Sequence, residues 1–324
     1  MRNFISEDDI EKAILGKLKD APFNYDILIC DADPSKRDDL NDGTMRASKK
    51  ECVLPLVLEQ SLHRINPHVE EEYLNGIVKE LRKDYTGTEL IATNYKLYQQ
   101  IRNGIKIDVR RDGKQDFDFV KLIDFDEPKN NTFTAVSQMW IQGKIYYRRP
   151  DILIFVNGLP MVFIELKNSI VKVEEAYNKN LKDYLKDIPN LFAFNQICVL
   201  SNGIETKLGS FSSTYEYFFE WLKIDSEKEV IDRKAIKKAE EANDSSVRYF
   251  VDGLLDKTKL IDYIENFILF QNQSIKIIAK NHQYLGVNNL MESVRNRKEL
   301  NGKLGVFWHT QGSGKSYSMV MFAR

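Results

Sequence analysis

At 324 residues, with 43% hydrophobic and 29% charged side chains, the chain has room for about two ordinary globular domains. A formal net charge of −1 excludes nucleic-acid binding driven by overall charge, so any such contact must come from local basic patches. Three widely separated cysteines (Cys30, Cys52, Cys198) fit neither a disulfide framework nor zinc spacing, and there is no apolar leader or membrane-length run. A reducing, cytoplasmic location is the expectation.

Ser6 ahead of Ile10, Ile14, Leu15 and Leu18 predicts an N-capped amphipathic helix. The Asp-, Pro- and Lys-rich stretch 31–43 predicts a loop. It is no calcium loop, because Leu40 takes a ligand position and Lys49 stands where the bidentate glutamate belongs. Two amphipathic helices are expected within 53–81, broken at Asn66-Pro67, and a third over 94–102, ending near Gly104. Strands are predicted at 106–110 and 119–125, a hairpin over 151–165, a helix over 173–185 and a strand over 195–201 ending at Asn202-Gly203. The segment 226–246, dense in Glu, Lys, Asp and Ala, reads as an exposed helix or a linker and marks a boundary. Helices over 254–270 and 275–294 follow in a second unit.

The hairpin carries the chemistry. Two apolar runs flank Asn157-Gly158, a strong two-strand turn signal, and the charged residues Asp151, Glu165 and Lys167 lie at the ends farthest from that turn. Glu165 and Lys167 share a face because a strand alternates its side chains. A three-residue loop, Asn157 to Leu159, sets Asp151 opposite Glu165 on that face. A two-residue loop sets it opposite Ile164 and so turns it away. Two carboxylates and a lysine on one face are costly in a core but suit a Mg²⁺ site, with Asp151 and Glu165 as ligands and Lys167 beside the nucleophilic water of a phosphodiester hydrolysis. Farther on, an apolar strand at 305–308 runs into Gln311-Gly312-Ser313-Gly314-Lys315-Ser316, a phosphate-loop pattern. Its glycines let backbone N–H groups wrap phosphates, its lysine reaches the β- and γ-phosphates, and its serine ligates Mg²⁺.

Pro150-Asp151 followed by Glu165-Leu166-Lys167 resembles the PD-(D/E)xK nuclease signature. The stretches Leu122-Ile123-Asp124-Phe125, Asn131, Gln138, Arg149-Pro150-Asp151, Asn157-Gly158-Leu159-Pro160 and Ile164-Glu165-Leu166-Lys167-Asn168 make the chain similar to the restriction (motor) subunit of type I restriction-modification enzymes, over most of its length. That resemblance implies an α/β fold: a PD-(D/E)xK restriction-endonuclease-like mixed sheet flanked by helices, then the start of a RecA-like helicase lobe. The implied domains are an endonuclease domain at 1–225, a charged linker at 226–253 and the beginning of the first superfamily 2 motor domain at 254–324. The implied activity is a Mg²⁺-dependent DNA endonuclease coupled to ATP-driven translocation, which defends the cell against foreign DNA. Its partners are double-stranded DNA and the modification (M) and specificity (S) subunits, with the recognition sequence set by the S subunit.

Some further site residues come from the resemblance alone, and others from their position or spacing. The family carries Gln-x-x-x-Tyr on the helix after the Glu-x-Lys strand. Here Asn180 and Tyr184 take those places, the Asn one methylene shorter. Arg148 and Arg149 are candidates for phosphate contact, as is the stripe Lys179, Lys182 and Lys186. Asn281-His282-Gln283-Tyr284 resembles the motif whose glutamine reads adenine, which assigns Gln283 to ATP with Gly312, Ser313, Gly314, Lys315 and Ser316. His309 replaces the usual first loop glycine, as in many of these motors. A third metal acid is open among Glu7, Glu11, Glu59 and Glu70 to Glu72. The chain stops at Arg324, before any Walker B acid, so a truncated product or fragment without ATP hydrolysis is expected. Alternatives are a repair-type helicase-nuclease of the same fold, or a non-catalytic assembly module with a vestigial site.

Overall fold

The first element begins where Ser6 places it. The Ser6 hydroxyl accepts from Asp9 N at 3.1 Å and the Asp9 carboxylate accepts from Ser6 N at 3.1 Å, a reciprocal cap that starts the helix Glu7–Lys19. This computed structural model describes residues 4–111 and 114–324. Helices Pro55–Ile65 and Glu71–Leu81 follow as expected, and Leu90–Asn103 ends at Gly104 but begins four residues before the predicted start. The loop 31–43 is irregular apart from one turn, Pro34–Lys36, and Lys49 pairs with Asp42 at 2.6 Å.

Seven strands form one mixed sheet: β1 Asp26–Ile29, β2 Phe133–Ser137, β3 Ile152–Val156, β4 Leu159–Leu166, β5 Ile197–Ser201, β6 Thr206–Gly209 and β7 Phe219–Glu220. Their spatial order follows the chain, with β1/β2 and β4/β5 parallel and the other neighbours antiparallel. The fold is therefore mixed α/β. Strands β3 and β4 are buried along their whole length, which is why they read as continuous apolar runs rather than alternating ones. On one face Ile152, Ile154, Val162 and Ile164 pack with Ile14, Leu58, Leu97 and Tyr98. On the other, Leu153, Phe155 and Phe163 pack with Val173, Leu181 and Tyr184. Each such aliphatic side chain contributes about 1.5–3 kcal/mol.

Three expectations change. The strand predicted to reach 125 belongs to the ribbon Ile105–Arg111/Lys114–Val120 and stops at Val120, because Asn66 accepts from Lys121 N at 2.8 Å and donates to Lys121 O at 2.9 Å, using both groups the next pair needs. The two long helices predicted over 254–294 are instead Val247–Leu254, Lys257–Asn266 and Asn281–Arg295, with a ribbon Ile268–Gln271/Ile275–Ile278 between the last two. Left-handed Asn272 and Gln273 (φ 51 and 58) turn that ribbon. Segment 226–246, expected as an exposed helix or a linker, carries a short helix, Arg233–Lys237, and a turn, Ala242–Asp244, which departs from neither. Residues 305–308 form no strand, and Val306 and Trp308 are exposed.

The later helices share the core of the sheet. Trp221, just past β7, packs against Tyr263 and Tyr284, and Tyr284 meets Phe267 edge-on at 4.7 Å between centroids. Lys276 of the ribbon is buried and donates to Asn195 O at 2.6 Å, Gln196 Oε1 at 2.8 Å and Asn94 Oδ1 at 3.1 Å; burial pushes its pKa well below the usual lysine value. The three cysteines are buried free thiols. No helix among the described residues is long and apolar enough to cross a membrane.

Candidate active site

The β3–β4 turn has two residues, not the three expected. Asn157 and Gly158 adopt φ 50 and 80, the left-handed pair of a tight hairpin. Asn157 is held from three sides: it donates to Leu122 O at 2.9 Å and Asn131 Oδ1 at 2.8 Å, and accepts from Thr132 N at 2.8 Å. Alone, that turn sets Asp151 opposite Ile164. A bulge restores the facing. Phe155 pairs with Pro160, Ile154 with Val162 and Ile152 with Ile164, so Met161 is an extra residue, and one step further Asp151 lies opposite Glu165. Pro160 has no N–H to lose, and the Met161 carbonyl accepts from Gln196 N at 2.7 Å at the entry to β5. The inferred facing therefore holds although the loop length behind it does not.

At this strand end Leu166 N donates to Asp151 Oδ2 at 2.7 Å, and Lys167 Nζ lies 3.3 Å from Glu165 Oε1 while donating to Leu166 O at 2.7 Å. Lys167 N donates to Ser201 O at 2.7 Å, anchoring it to β5. Glu165 is 2% exposed, and its Oε2 has no hydrogen-bond partner among the described residues. Burial first, then the charge of Asp151, holds Glu165 well above the usual carboxylate range against the opposing pull of Lys167. Burial also raises Asp151, against the Leu166 hydrogen bond and the Lys167 charge. Two ionised carboxylates and one ammonium would leave an uncompensated negative charge in a desolvated place, which a divalent cation would offset. Among the described residues no group of three or more His, Cys, Asp and Glu could hold a metal ion. Mg²⁺ needs none, since it keeps several waters and takes one or two carboxylates. The donor set and the unbonded Oε2 fit such an ion.

Of the acids left open, Glu59 and Glu70 to Glu72 are exposed, and Glu7 accepts from Asn168 N at 3.3 Å. Glu11 reaches the site: Gln138 donates its side-chain amide to Glu11 Oε2. Burial raises the Glu11 pKa, the Gln138 bond lowers it and the Asp151 charge raises it again. A sequence signal for Glu11 existed, because it shares the buried stripe of its helix with Leu15 and Leu18 at spacings of four and seven. A charged residue on an apolar stripe asks for a partner.

Asn180 and Tyr184 line a groove of about 330 Å³ with Trp140, Tyr147, Arg149 and Lys179. The Tyr184 ring meets Phe163 edge-on at 5.5 Å, and its hydroxyl donates to Arg149 O at 3.1 Å. Arg148 is taken up by Asp187 (2.8 Å) and Asp183 (3.1 Å), whereas Arg149 stacks over Trp140 at 5.2 Å. The helical stretch consists of Val173–Glu175, a π-helical turn Ala176–Leu181 and Lys182–Asp187. Lys179, Lys182 and Lys186 are exposed on it, Lys179 paired with Glu175 at 2.6 Å.

Downstream, the glycine-rich turn and the glutamine come together. Gln283 Nε2 donates to Gly314 O at 2.9 Å and its Oε1 accepts from Lys280 N at 2.8 Å. Gly314 adopts φ 86, a left-handed backbone that favours glycine, and sits against the Gln283 amide. Lys315 Nζ donates to His309 O at 2.9 Å, across the loop that holds Gly312 and Ser313, and Ser316 lies in the first turn of the helix Lys315–Phe322.

Fold and site together define a mixed α/β protein with an acid–acid–lysine constellation at one strand end and a phosphate-loop-like turn downstream. Residues 4–217 match the family described as Type I restriction enzyme R protein N terminus, and the chain belongs to it. Residues 282–324 match the SWI2/SNF2 ATPase family. Similar proteins include the type I restriction enzyme HindI endonuclease subunit of Haemophilus influenzae, 33% identical over 98% of this chain and 30% of its own length. The putative type I restriction enzyme MjaIXP endonuclease subunit of Methanocaldococcus jannaschii is 30% identical over 86% of this chain and 28% of its own length. The type I restriction enzyme SauCOLORF180P endonuclease subunit of Staphylococcus aureus strain COL is 24% identical over 65% of this chain and 21% of its own length. The chain thus spans less than a third of the length of these relatives.

Proposed function

We propose that Asp151, Glu165 and Lys167 form the PD-(D/E)xK site of a Mg²⁺-dependent DNA endonuclease, within a type I restriction enzyme that acts in the cytoplasm on foreign double-stranded DNA. The observation that carries this reading is the buried, unbonded Glu165 Oε2 facing Asp151 beside Lys167, in a chain of this family. Asp151 and Glu165 would hold the ion, which supplies charge stabilisation at the phosphate. Lys167 Nζ, fixed by Glu165 and the Leu166 carbonyl, orients the attacking water and steadies its developing hydroxide. Tyr184 keeps the groove wall in place through Arg149, and Arg149 with the exposed lysines offers phosphate contacts. Gln283 and the turn Gly312 to Ser316 begin an ATP·Mg²⁺ site of a RecA-like motor, whose translocation drives cleavage in the whole enzyme assembled with M and S subunits. Residues 1–225 are the nuclease part, 226–253 the link and 254–324 the start of the motor.

The test uses the full-length subunit assembled with its partners. Asp151→Ala, Glu165→Ala and Lys167→Ala should each remove DNA cleavage, by a factor of about 10³ or more, while ATP hydrolysis and translocation persist. Lys315→Ala should remove hydrolysis and, with it, cleavage. Cleavage at wild-type rates by Asp151→Ala or Glu165→Ala would place the chemistry elsewhere.

A further inference from the structure

We propose that the tip Lys144-Ile145-Tyr146, shortly ahead of Asp151 in the chain, is a DNA wedge. Ile145 enters between base pairs of the bound duplex, Tyr146 covers the base so exposed, and the step beside the scissile phosphate opens. The inference rests on the nuclease reading above and adds to it a deformation of the substrate. The tip joins two short paired strands, Ile141–Gln142 and Tyr147–Arg148. Ile145 is 81% exposed and Tyr146 55% exposed. An exposed apolar residue is ordinary by itself, so the argument turns on what holds this one and what it faces.

The stem below the tip is held from several sides. Gly143 N donates to Tyr146 O at 2.8 Å, closing the turn, and Gln142 N donates to Lys49 O at 2.9 Å. A Cβ on Gly143 would fall 1.8 Å from Asp187 O, so the stem lies directly against the helix Lys182–Asp187. Arg148 pairs with Asp183 and Asp187 of that helix, and Arg37 stacks 4.8 Å over Tyr147. A rigid stem thus carries two apolar side chains outward. Tyr147 and Arg148 of the same ribbon line the groove that holds Tyr184. Burial, then the charges of Glu165 and Asp151, raise the Tyr184 pKa, which sets that groove beside the acid pair. A duplex lying in it passes the tip. Two side chains fall far short of the roughly 800 Å² that a protein partner would cover. Around them Lys144, Lys182 and Lys186 are exposed, while Asp183 and Asp187 are taken up by Arg148. An apolar tip flanked by cations matches stacked bases flanked by phosphates, and isoleucine is among the side chains that unstack a base step and kink a duplex.

The full-length subunit assembled with its partners tests this through where it cuts, with the break ends mapped by sequencing. Pyrimidine–purine steps unstack most easily, so wild type should cut beside them more often than chance. Ile145→Ser should lose that bias and cleave about tenfold more slowly. Tyr146→Ser should shift both readouts in the same direction, and Ile145→Met, which keeps an apolar wedge, should retain them. Both positions are exposed, so assembly and ATP hydrolysis should match wild type in every tip variant. Lys167→Ala is the control for the nuclease reading: if it cuts like wild type, that reading fails and takes this inference with it. Given an inactive control, three results would overturn the wedge alone. They are an unbiased wild type, an unchanged rate and break distribution in Ile145→Ser, and a loss of subunit assembly in the tip variants, which would assign the tip to a protein partner.

Discussion

A carboxylate oxygen sealed in the protein without a hydrogen bond has a predictable price in pH. The Glu165 pKa is raised in the fold from its ordinary 4.5, so the folded state holds the proton more tightly than the unfolded chain does. Stability is then intact below about 4.5 and falls as pH rises from there through the elevated folded value. In metal-free buffer at neutral pH, Glu165→Gln should therefore raise the melting temperature by a few degrees, and the gain should vanish near pH 4. Mg²⁺ should stabilise wild type and do little for the variant. A gain that persists at pH 4 would trace to packing rather than ionisation. At this scale Asp151, Glu165 and Lys167 were legible because charge stands out against apolar strands. Glu11 was legible in principle, as an acid on an apolar stripe. Gln138 was not, because nothing in an amide's neighbours along the chain announces a left-handed backbone or a partner 127 residues away.

At the scale of elements, the turn that aligns the hairpin is wedged against the start of a helix. A Cβ on Gly158 would lie 2.6 Å from Leu54 O and 2.7 Å from Leu58 N, at φ 80. Gly158→Ala should cost roughly 2–4 kcal/mol, combining strain and overpacking, and lower the urea midpoint accordingly. An unchanged midpoint would mean the helix Pro55–Ile65 yields. The hairpin itself could be read from Asn-Gly between apolar runs, whereas its bulge could not. Met161 looks like any other member of the run, and what singles it out is a hydrogen bond from Gln196, on another strand's approach. The ribbon at 268–278 resembles helix in the sequence for a related reason. Short apolar segments suit either period until a turn such as Asn272-Gln273 is recognised.

For the whole molecule, charge density marks 226–253 as a boundary, yet one hydrophobic core runs from Ile5 to Met321. Composition reports that a segment is exposed, but says nothing of how its flanks pack. Lys276 is the polar counterpart of that shared core. Lys276→Met would leave Asn195 O, Gln196 Oε1 and Asn94 Oδ1 without this donor, at about 1–3 kcal/mol for each acceptor left unsatisfied. Relief from burying an ammonium returns part of this, so a net loss of about 2–3 kcal/mol is expected. Guanidinium unfolding of this chain should be a single transition, by fluorescence and by circular dichroism alike, and Lys276→Met should shift both midpoints together. Two separate transitions, with only the later one sensitive to Lys276, would show that the common core does not bind the halves into one cooperative unit.

The bulge at Met161 gives the active site an arithmetic of its own. Which way Glu165 and Lys167 look depends on whether the number of residues between them and the turn is odd or even, and the identity of the intervening side chains hardly enters. Losing one codon between 159 and 164 would be a frameshift in space: composition and hydropathy would stay nearly constant while both charged groups changed sides. Losing two would restore the parity. Among related chains, length variation in this strand should therefore come in pairs, or be matched by a compensating change at the turn.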